Sequence, residues 1–251
     1  MVNEVMMPAP EYAYSALATK NPFRYALALW RFMRSKTDDD IISEVAIIEI
    51  GFARSRFGRR LARWEETIDF LEETLDLDKS MLEKASIGPI VVEHLETLPF
   101  GTLGQVFAEH CLNRGIDPNL VNVPLEEESD WLLNHLFQTH DIWHVMTGWA
   151  NDEIGEVGLA GFYCGQLRSP PFFIFLYSLI MLKRVLRRGP QIDDFIRAFC
   201  SGYDSGRRAK PLFGVNWSDY WDTPLAEMRE NFSIESSGAA GFGEGILAEA
   251  A

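Results

Sequence analysis

Thiols are scarce in this sequence: 251 residues hold three cysteines, Cys111, Cys164 and Cys200, far apart and with no CxxC among them. That argues against a disulfide framework or a thiolate zinc cluster and points to a reducing compartment. Each thiol is expected to be a small buried hydrophobe. Basic charge is short as well. The 23 Lys and Arg are outnumbered by 37 Asp and Glu, for a formal net charge of -14, whereas a phosphate backbone calls for clustered cations without such an excess of acid. No nucleic-acid partner is expected. The longest apolar run, PFFIFLYSLIML at 171–182, falls well short of the ~20 residues that cross a bilayer. The opening stretch MVNEVMMPAPEYAYS carries an early acid and no basic start ahead of an apolar run, so it does not read as a secretory signal, and a cytoplasmic protein is expected. Phosphate loops of the GxxxxGK[ST] type and GxSxG nucleophile elbows are missing, and Gly155, Gly158 and Gly161 do not have dinucleotide spacing.

What is there is helical. Few β-branched alternating runs and no internal repeat occur, so the expected fold class is all-α, a single helical domain over 22–234 between an N-terminal extension (1–21) and a disordered tail (235–251). Helical spacing marks NPFRYALALWRFMR. After Thr37, the apolar positions Ile41, Val45, Ile48 and Phe52 give way to Phe57, Leu61, Trp64, Ile68, Leu71 and Leu75. A step of five between Phe52 and Phe57, flanked by Gly51 and Gly58, predicts a kink or break. Thr102 is placed to cap a helix that stops at Gly115. A further helix is expected from about Trp131 to Gly148, with Ser129 as a possible cap. Another presents Ile192, Phe195, Phe199 and Tyr203 on one side, and Thr223-Pro224 opens LAEMREN as cap and first turn.

The chemistry concentrates in HDIWHVMTGWANDEIGE, residues 140–156. On one helix His140, Asp141 and His144 fall within an arc of ~100°, so all three can face one ion. Glu156 would lie ~24 Å further along the same straight helix, beyond any ligand reach. A metal site therefore requires the chain to fold back. Gly148 supplies the stop and Asn151 a cap for a second helix, with Asp152 and Glu153 in its first turn. Two imidazoles and two carboxylates suit zinc, manganese or ferrous iron and do not suit copper(I); spacing does not choose among the three, and zinc is the first expectation. An HxxxH pair alone is more often a satisfied core feature, but two acids buried beside it without an ion would carry a multi-kcal/mol cost. A zinc peptidase ranks low, because Asp stands where HExxH needs Glu.

Gly155, Gly158, Gly161 and Gly165 cost ~1 kcal/mol each in a helix, which calls for close backbone approach, either by a neighbouring helix or by a ligand lying in the groove. Among them Gly155 and Gly158 are candidate substrate contacts. Lys183, Arg184, Arg187 and Arg188 follow the 171–182 apolar run, a pairing that fits either a membrane surface with anionic headgroups or a core helix with a solvated basic end. Arg207, in a second basic cluster with Arg208 and Lys210, offers a planar fork for the anionic head of a substrate, with ordinary surface charge as the equal alternative.

The pattern HDxxH, eleven residues, then Glu resembles the signature of the coenzyme Q biosynthesis protein four family, and His140, Asp141, His144 and Glu156 match it in full. LPFGTLGQVFAEH before the site is similar to that family. So is GYDSGRRAKPLFGVNWSDYWDTPLAEMRENFSI after it, through Gly206-Arg207, Ala209, Leu212, Trp217, Trp221, Pro224-Leu225 and Arg229. The likeness spans roughly 97–234. It implies an all-helical peripheral membrane protein, cytoplasmic and associated with the inner membrane, or on the matrix side of the inner mitochondrial membrane in a eukaryote. It also implies binding of a polyprenylated benzenoid quinone precursor, organisation of other ubiquinone-pathway enzymes, and homo-oligomers. The activity implied is metal-dependent oxidative decarboxylation at ring carbon one, with the four motif residues as catalytic ligands; a non-catalytic prenyl-lipid scaffold is the competing role.

Overall fold

The computed structural model describes residues 22–34, 48, 51–52, 55–62, 64–75, 89–119, 130–167, 170–186 and 192–235. Among these the fold is all-α. In chain order the helices are α1 (Pro22–Arg34), α2 (Arg56–Ala62), α3 (Trp64–Leu75), α4 (Val92–Leu95), α5 (Leu103–Arg114), α6 (Asp130–Thr147), α7 (Glu153–Leu167), α8 (Pro170–Leu186), α9 (Ile192–Arg208) and α10 (Leu225–Asn231), with a 3-10 turn at Trp217–Tyr220. The extended pairing among described residues is one isolated bridge, Thr102 to Pro224.

The centre is α7. It is apolar on every side, and each residue from Val157 to Leu167 is buried, the pattern of a helix enclosed by others. Its closest neighbour is α9, and glycine explains the approach. A Cβ on Gly202 would run into the Gly158 carbonyl, one on Gly206 into the Phe162 carbonyl, and one on Gly161 into the Phe199 carbonyl. Contacts that advance together, 158 with 202 and 162 with 206, make the two helices parallel, with α8 as the return between them.

This packing corrects the expected phase of α9. Phe195, Ala198, Gly202 and Gly206 face inward, while Ile192 and Tyr203 are exposed and Phe199 is half-buried. The apolar pattern misled because two of the four inward positions are glycines, which carry no hydrophobic signal. The glycine groove is likewise filled by protein. At Gly158 a Cβ would meet the Trp149 indole, and at Gly155 the Ala150 backbone, so these two positions are taken up by the turn that precedes them.

Ends of helices follow local rules with two corrections. Thr102 Oγ1 accepts from the Gln105 N–H at 3.4 Å, and Gly115 closes α5 in the left-handed region at φ 64°. The break near Phe52 is held by Ser55, which donates to the Phe52 carbonyl at 2.7 Å and accepts from Gly58 N–H at 2.9 Å; Phe57 beyond it is exposed. Asp152, not Asn151, caps α7: its Oδ1 accepts from Gly155 N–H at 2.7 Å, because that short carboxylate reaches the third free amide of the first turn. At α10 Pro224 is itself the cap residue, and the Thr223 carbonyl accepts from Leu103 N–H at 2.8 Å, so this pair ties α10 to α5. Expectations for Thr37, Ile41, Val45, Ser129, Arg187, Arg188, the first 21 residues and most of the tail lie outside the described residues.

Two cysteine expectations hold and one does not. Cys111 and Cys164 are buried, and burial pushes both thiols up to about 12, whereas Cys200 is exposed on α9. Lys183 is buried too, with its Nζ 3.1 Å from Glu153 Oε1 and 4.7 Å from the centre of the Phe32 ring. It joins α8 to α7 and α1 instead of meeting a headgroup.

Candidate metal centre

The helix hairpin forms at the expected place. Gly148 takes φ 77°, a conformation that favours glycine, and its N–H donates to the His144 carbonyl at 2.9 Å. The chain then reverses through Trp149 to Asp152 and enters α7. Arg229 of α10 secures the end of α6, donating from Nε to the Met146 carbonyl at 3.0 Å and from Nη2 to the Val145 carbonyl at 2.9 Å. These are carbonyls that a helix end leaves without intrahelical partners.

The reversal brings Glu156 back to the histidines. Its Oε1 lies 3.2 Å from His144 Nε2 and its Oε2 3.5 Å from His140 Nε2, while the two Nε2 atoms are 3.1 Å apart. One donor atom from each of these residues lies within 4.8 Å of the others. Tetrahedral bonds of ~2.0–2.1 Å set ligand atoms ~3.3 Å apart, so the three separations have the size that a bound divalent ion imposes.

Hydrogen bonding argues the same way. His144 Nδ1 lies 2.8 Å from the Trp149 carbonyl, which can only accept, so Nδ1 carries a proton and Nε2 is the ring nitrogen turned to the site. That nitrogen faces a carboxylate oxygen and a second imidazole nitrogen. Groups so turned on one another need protons or a metal ion between them, and the Nδ1–H to carbonyl bond is the usual support of a metal-bound histidine. His140 has a similar support: Nδ1 lies 3.5 Å from the Tyr163 hydroxyl, and its ring lies 6.2 Å from that of Tyr163 at 6°. Tyr163 is itself stacked between Trp143 and Phe173.

Burial would push the Glu156 carboxyl up, but His144 and His140 more than offset it and hold the group well below the usual carboxylate range. The glutamate is therefore an anion ready for a cation. The site is buried on one side and open on the other: the His144 side chain is wholly buried, while those of His140 and Glu156 are 29% and 27% exposed.

Asp141 stands apart from this group. Successive helical residues point ~100° apart, and its carboxylate turns from the triad to His110, whose Nε2 is 3.8 Å from Oδ1, and to Asn151, whose amide is 3.4 Å from the same oxygen. Burial works against the charge on Asp141, and the nearby His110 with the other imidazoles restores it, lowering its pKa. Arg207 is exposed at the far end of α9, and its amide nitrogen is beside Gly165. Nine residues of α7 separate Gly165 from Glu156, ~13 Å along the helix, so Arg207 is not beside the ion site. His110, Trp149, Tyr163 and Arg229 support the site and were not singled out for it by spacing. Arg229 stands in a family-like segment. His110 closes the other family-like segment and Trp149 lies within 140–156, but nothing local marks their contacts or those of Tyr163, since the partners are distant in sequence or lie in the turn.

Comparison with known proteins agrees with this architecture. A crystal structure of a protein provisionally assigned to ubiquinone biosynthesis from Nostoc punctiforme PCC 73102 superposes with a TM-score of 0.66 at 25% identity, covering 87% of this chain and 100% of that one. The mitochondrial ubiquinone biosynthesis protein coq4 of Sclerotinia sclerotiorum is 26% identical over 57% of this chain and 51% of its own. The Anopheles gambiae homologue is 23% identical over 68% of this chain and 61% of its own. The chain thus spans about half the length of the curated fungal relative. The family model for coenzyme Q (ubiquinone) biosynthesis protein Coq4 matches residues 56–237, and the chain belongs to that family.

Proposed function

We propose that this chain is a metal-dependent enzyme of ubiquinone biosynthesis that replaces the ring carboxylate of a polyprenylated hydroxybenzoate-type precursor by a hydroxyl. The carrying observation is the convergence of His140 Nε2, His144 Nε2 and Glu156 at 3.1–3.5 Å, with the His144 tautomer set by the Trp149 carbonyl. The overall change breaks the bond from ring carbon to carboxyl carbon, releases carbon dioxide and forms a carbon–oxygen bond with an oxygen from water, while dioxygen takes the two electrons and two protons and leaves as hydrogen peroxide. A divalent ion in this cradle would supply Lewis-acid stabilisation of the carboxylate or phenolate and, as iron or manganese, electron transfer to dioxygen. The protein's own part is to hold three ligand atoms rigidly, to leave the exposed side of His140 and Glu156 for the substrate, and to enclose the other side in the aromatic wall of Trp143, Tyr163 and Phe173. Zinc fits the donors equally but is redox-inert, so the oxidative reading predicts turnover with iron or manganese and binding alone with zinc.

Metal analysis of protein purified without added ions, joined to mass spectrometry of lipid that purifies with it, tests ion and substrate class together. His144→Ala is expected to lose both the metal and turnover of a prenylated hydroxybenzoate. Full turnover by metal-stripped wild-type protein would overturn the reading.

A second role is favoured by the outer face of α8. Ile174, Leu182, Val185 and Leu186 are exposed there, and Phe23, Leu27 and Trp30 are exposed on α1. Among the described residues no helix is long and apolar enough to cross a membrane. In this reading the face rests on a bilayer at the inner membrane, the prenyl tail stays near the lipid, and the protein, as a homo-oligomer, presents intermediates to partner enzymes as a scaffold. Loss of liposome co-sedimentation in Leu182→Glu/Val185→Glu, with metal content unchanged, is the expected outcome; undiminished sedimentation would refute it.

A further inference from the structure

We propose that the outer face of α9 is the contact between two copies of this chain, packed antiparallel about a two-fold axis that passes between Cys200 and Ser201. The contact would serve the homo-oligomer of the scaffold reading, but it is argued from α9 alone and does not depend on the metal centre.

α9 turns most of its larger apolar side chains away from its own core. Its inward positions are Phe195, Ala198, Gly202 and Gly206. Ile192, Ile196 and Tyr203 are 42%, 48% and 39% exposed, Phe199 is half-buried, and Cys200 is exposed beside them. At ~100° per residue, Phe199, Ile192, Tyr203, Ile196 and Cys200 fall within one arc of ~100°, so they form a continuous stripe along the helix. A contiguous exposed apolar stripe rimmed by charge marks a surface that meets a partner.

The charges on its rim select that partner. Asp193, Asp204, Arg197 and Arg208 are exposed and occupy the next ~80° of the helix. Among the described residues Asp193, Arg197 and Asp204 make no ion pair, and Arg208 makes one long one, 3.9 Å to an exposed Glu235. Two acids and two bases cancel, which leaves little to draw an anionic bilayer. A second copy fits better. With the axis between Cys200 and Ser201, Asp193 lies as far to one side as Arg208 does to the other, and Arg197 as far as Asp204. Antiparallel pairing therefore sets Asp193 opposite Arg208 of the second copy and Arg197 opposite its Asp204, each pair occurring twice by symmetry. Parallel pairing would set every residue level with its own copy, acid on acid and base on base, which is repulsive.

One helix pair is a small interface, so full-length protein is examined at tens of micromolar by size-exclusion chromatography with light scattering. Wild type should show twice the chain mass, and Ile196→Glu the chain mass alone. Arg197→Asp and Asp204→Arg should each weaken the dimer about tenfold. Arg197→Asp/Asp204→Arg restores opposite charges across the axis and should recover most of that loss. Helices 8–10 Å apart would bring the two Cys200 Cα atoms to about 5–7 Å, within disulfide reach. Cys111 and Cys164 are buried, so diamide should give a covalent dimer in wild type, none in Cys200→Ser and far less in Ile196→Glu. Each replaced side chain is exposed, and circular dichroism and metal content should stay at the wild-type level, so failure here leaves the metal-centre reading standing. Wild type that remains monomeric overturns the inference; loss of liposome co-sedimentation in Ile196→Glu would then assign the face to lipid. A dimer indifferent to Ile196→Glu overturns it too, because the contact then lies on another face. So do single reversals that the double variant fails to rescue, because the register is then wrong.

Discussion

His144 and His135 are carried by the same helix, nine residues apart, and both are buried, yet they do opposite things. His144 gives Nδ1–H to the Trp149 carbonyl and turns Nε2 to Glu156 and His140. His135 packs against the Phe213 ring at 4.6 Å, its Nε2 accepts from Gly214 N–H at 3.4 Å, and burial pushes it down to about 4. One imidazole is placed among acceptors that need a cation; the other fastens the segment after α9 to α6 as a neutral, half-apolar core group. The deciding element is the carboxylate opposite, which α7 supplies to one and nothing among its described contacts supplies to the other.

The sharpest break of that comparison is to exchange the fates of the two rings. His144→Ala should abolish metal content, while His135→Phe, similar in volume and matched to its neighbour Phe213, should keep full stoichiometry. Plasma emission analysis of both variants after dialysis checks this. Equal loss in both would show that burial, not ligand geometry, is what His144 contributes.

Gly158→Ala strikes the support instead of the ligand. Its Cβ would collide with the Trp149 indole, part of the residue whose carbonyl orients His144. We expect a loss of about 2–3 kcal/mol in urea denaturation, as for overpacked cores, and weaker metal binding by at least about tenfold. The His135 contacts lie elsewhere, so the pH response described next should persist in this variant.

The fold class and the hairpin were legible because they follow from local rules: Gly148 as a stop, an acid near the start of α7, and the arithmetic that kept Glu156 off a straight helix. The phase of α9 was not, because Gly202 and Gly206 make its closest contacts without apolar side chains. Asp141 was placed among the ligands by its helical arc and by the family motif; its nearness to His110, on a helix upstream at 3.8 Å, follows from no spacing rule. Lys183 looked like the edge of a basic patch, but its partners Glu153 and Phe32 are long-range. Local chemistry was readable, and long-range partners were not.

His135 also links stability to pH. A folded pKa near 4 against 6.5 unfolded means that His135 is neutral in the folded chain while the unfolded chain takes up a proton. Its contribution is therefore complete above pH 6.5, is lost progressively as the pH falls towards 4, and is constant below that. The loss is on the order of 3 kcal/mol across the window. Urea midpoints measured from pH 7.5 to 4 should show this slope in wild type and a shallower one in His135→Phe. Parallel slopes in the two proteins would assign the pH response to other groups.

The smallest effect belongs to Arg229, which touches neither histidine. Its guanidinium spans the Val145 and Met146 carbonyls, which follow directly on His144, and so sets where α6 stops. Two hydrogen bonds from a charged donor to otherwise unpartnered carbonyls contribute about 1–3 kcal/mol. Arg229→Met should lower stability by roughly that amount, and Arg229→Lys by less, since a point charge on a flexible stem cannot bridge both oxygens as a planar fork does. The metal readout separates two ways in which α10 can act. If the cap merely adds stability, cobalt affinity in Arg229→Lys stays at the wild-type level. If it sets the pitch of the last turn, His144 shifts relative to Glu156, affinity falls severalfold, and His135, two and a half turns back along α6, keeps its pH response. The second outcome is expected, because Trp149, which orients His144, follows directly on the turn that Arg229 closes.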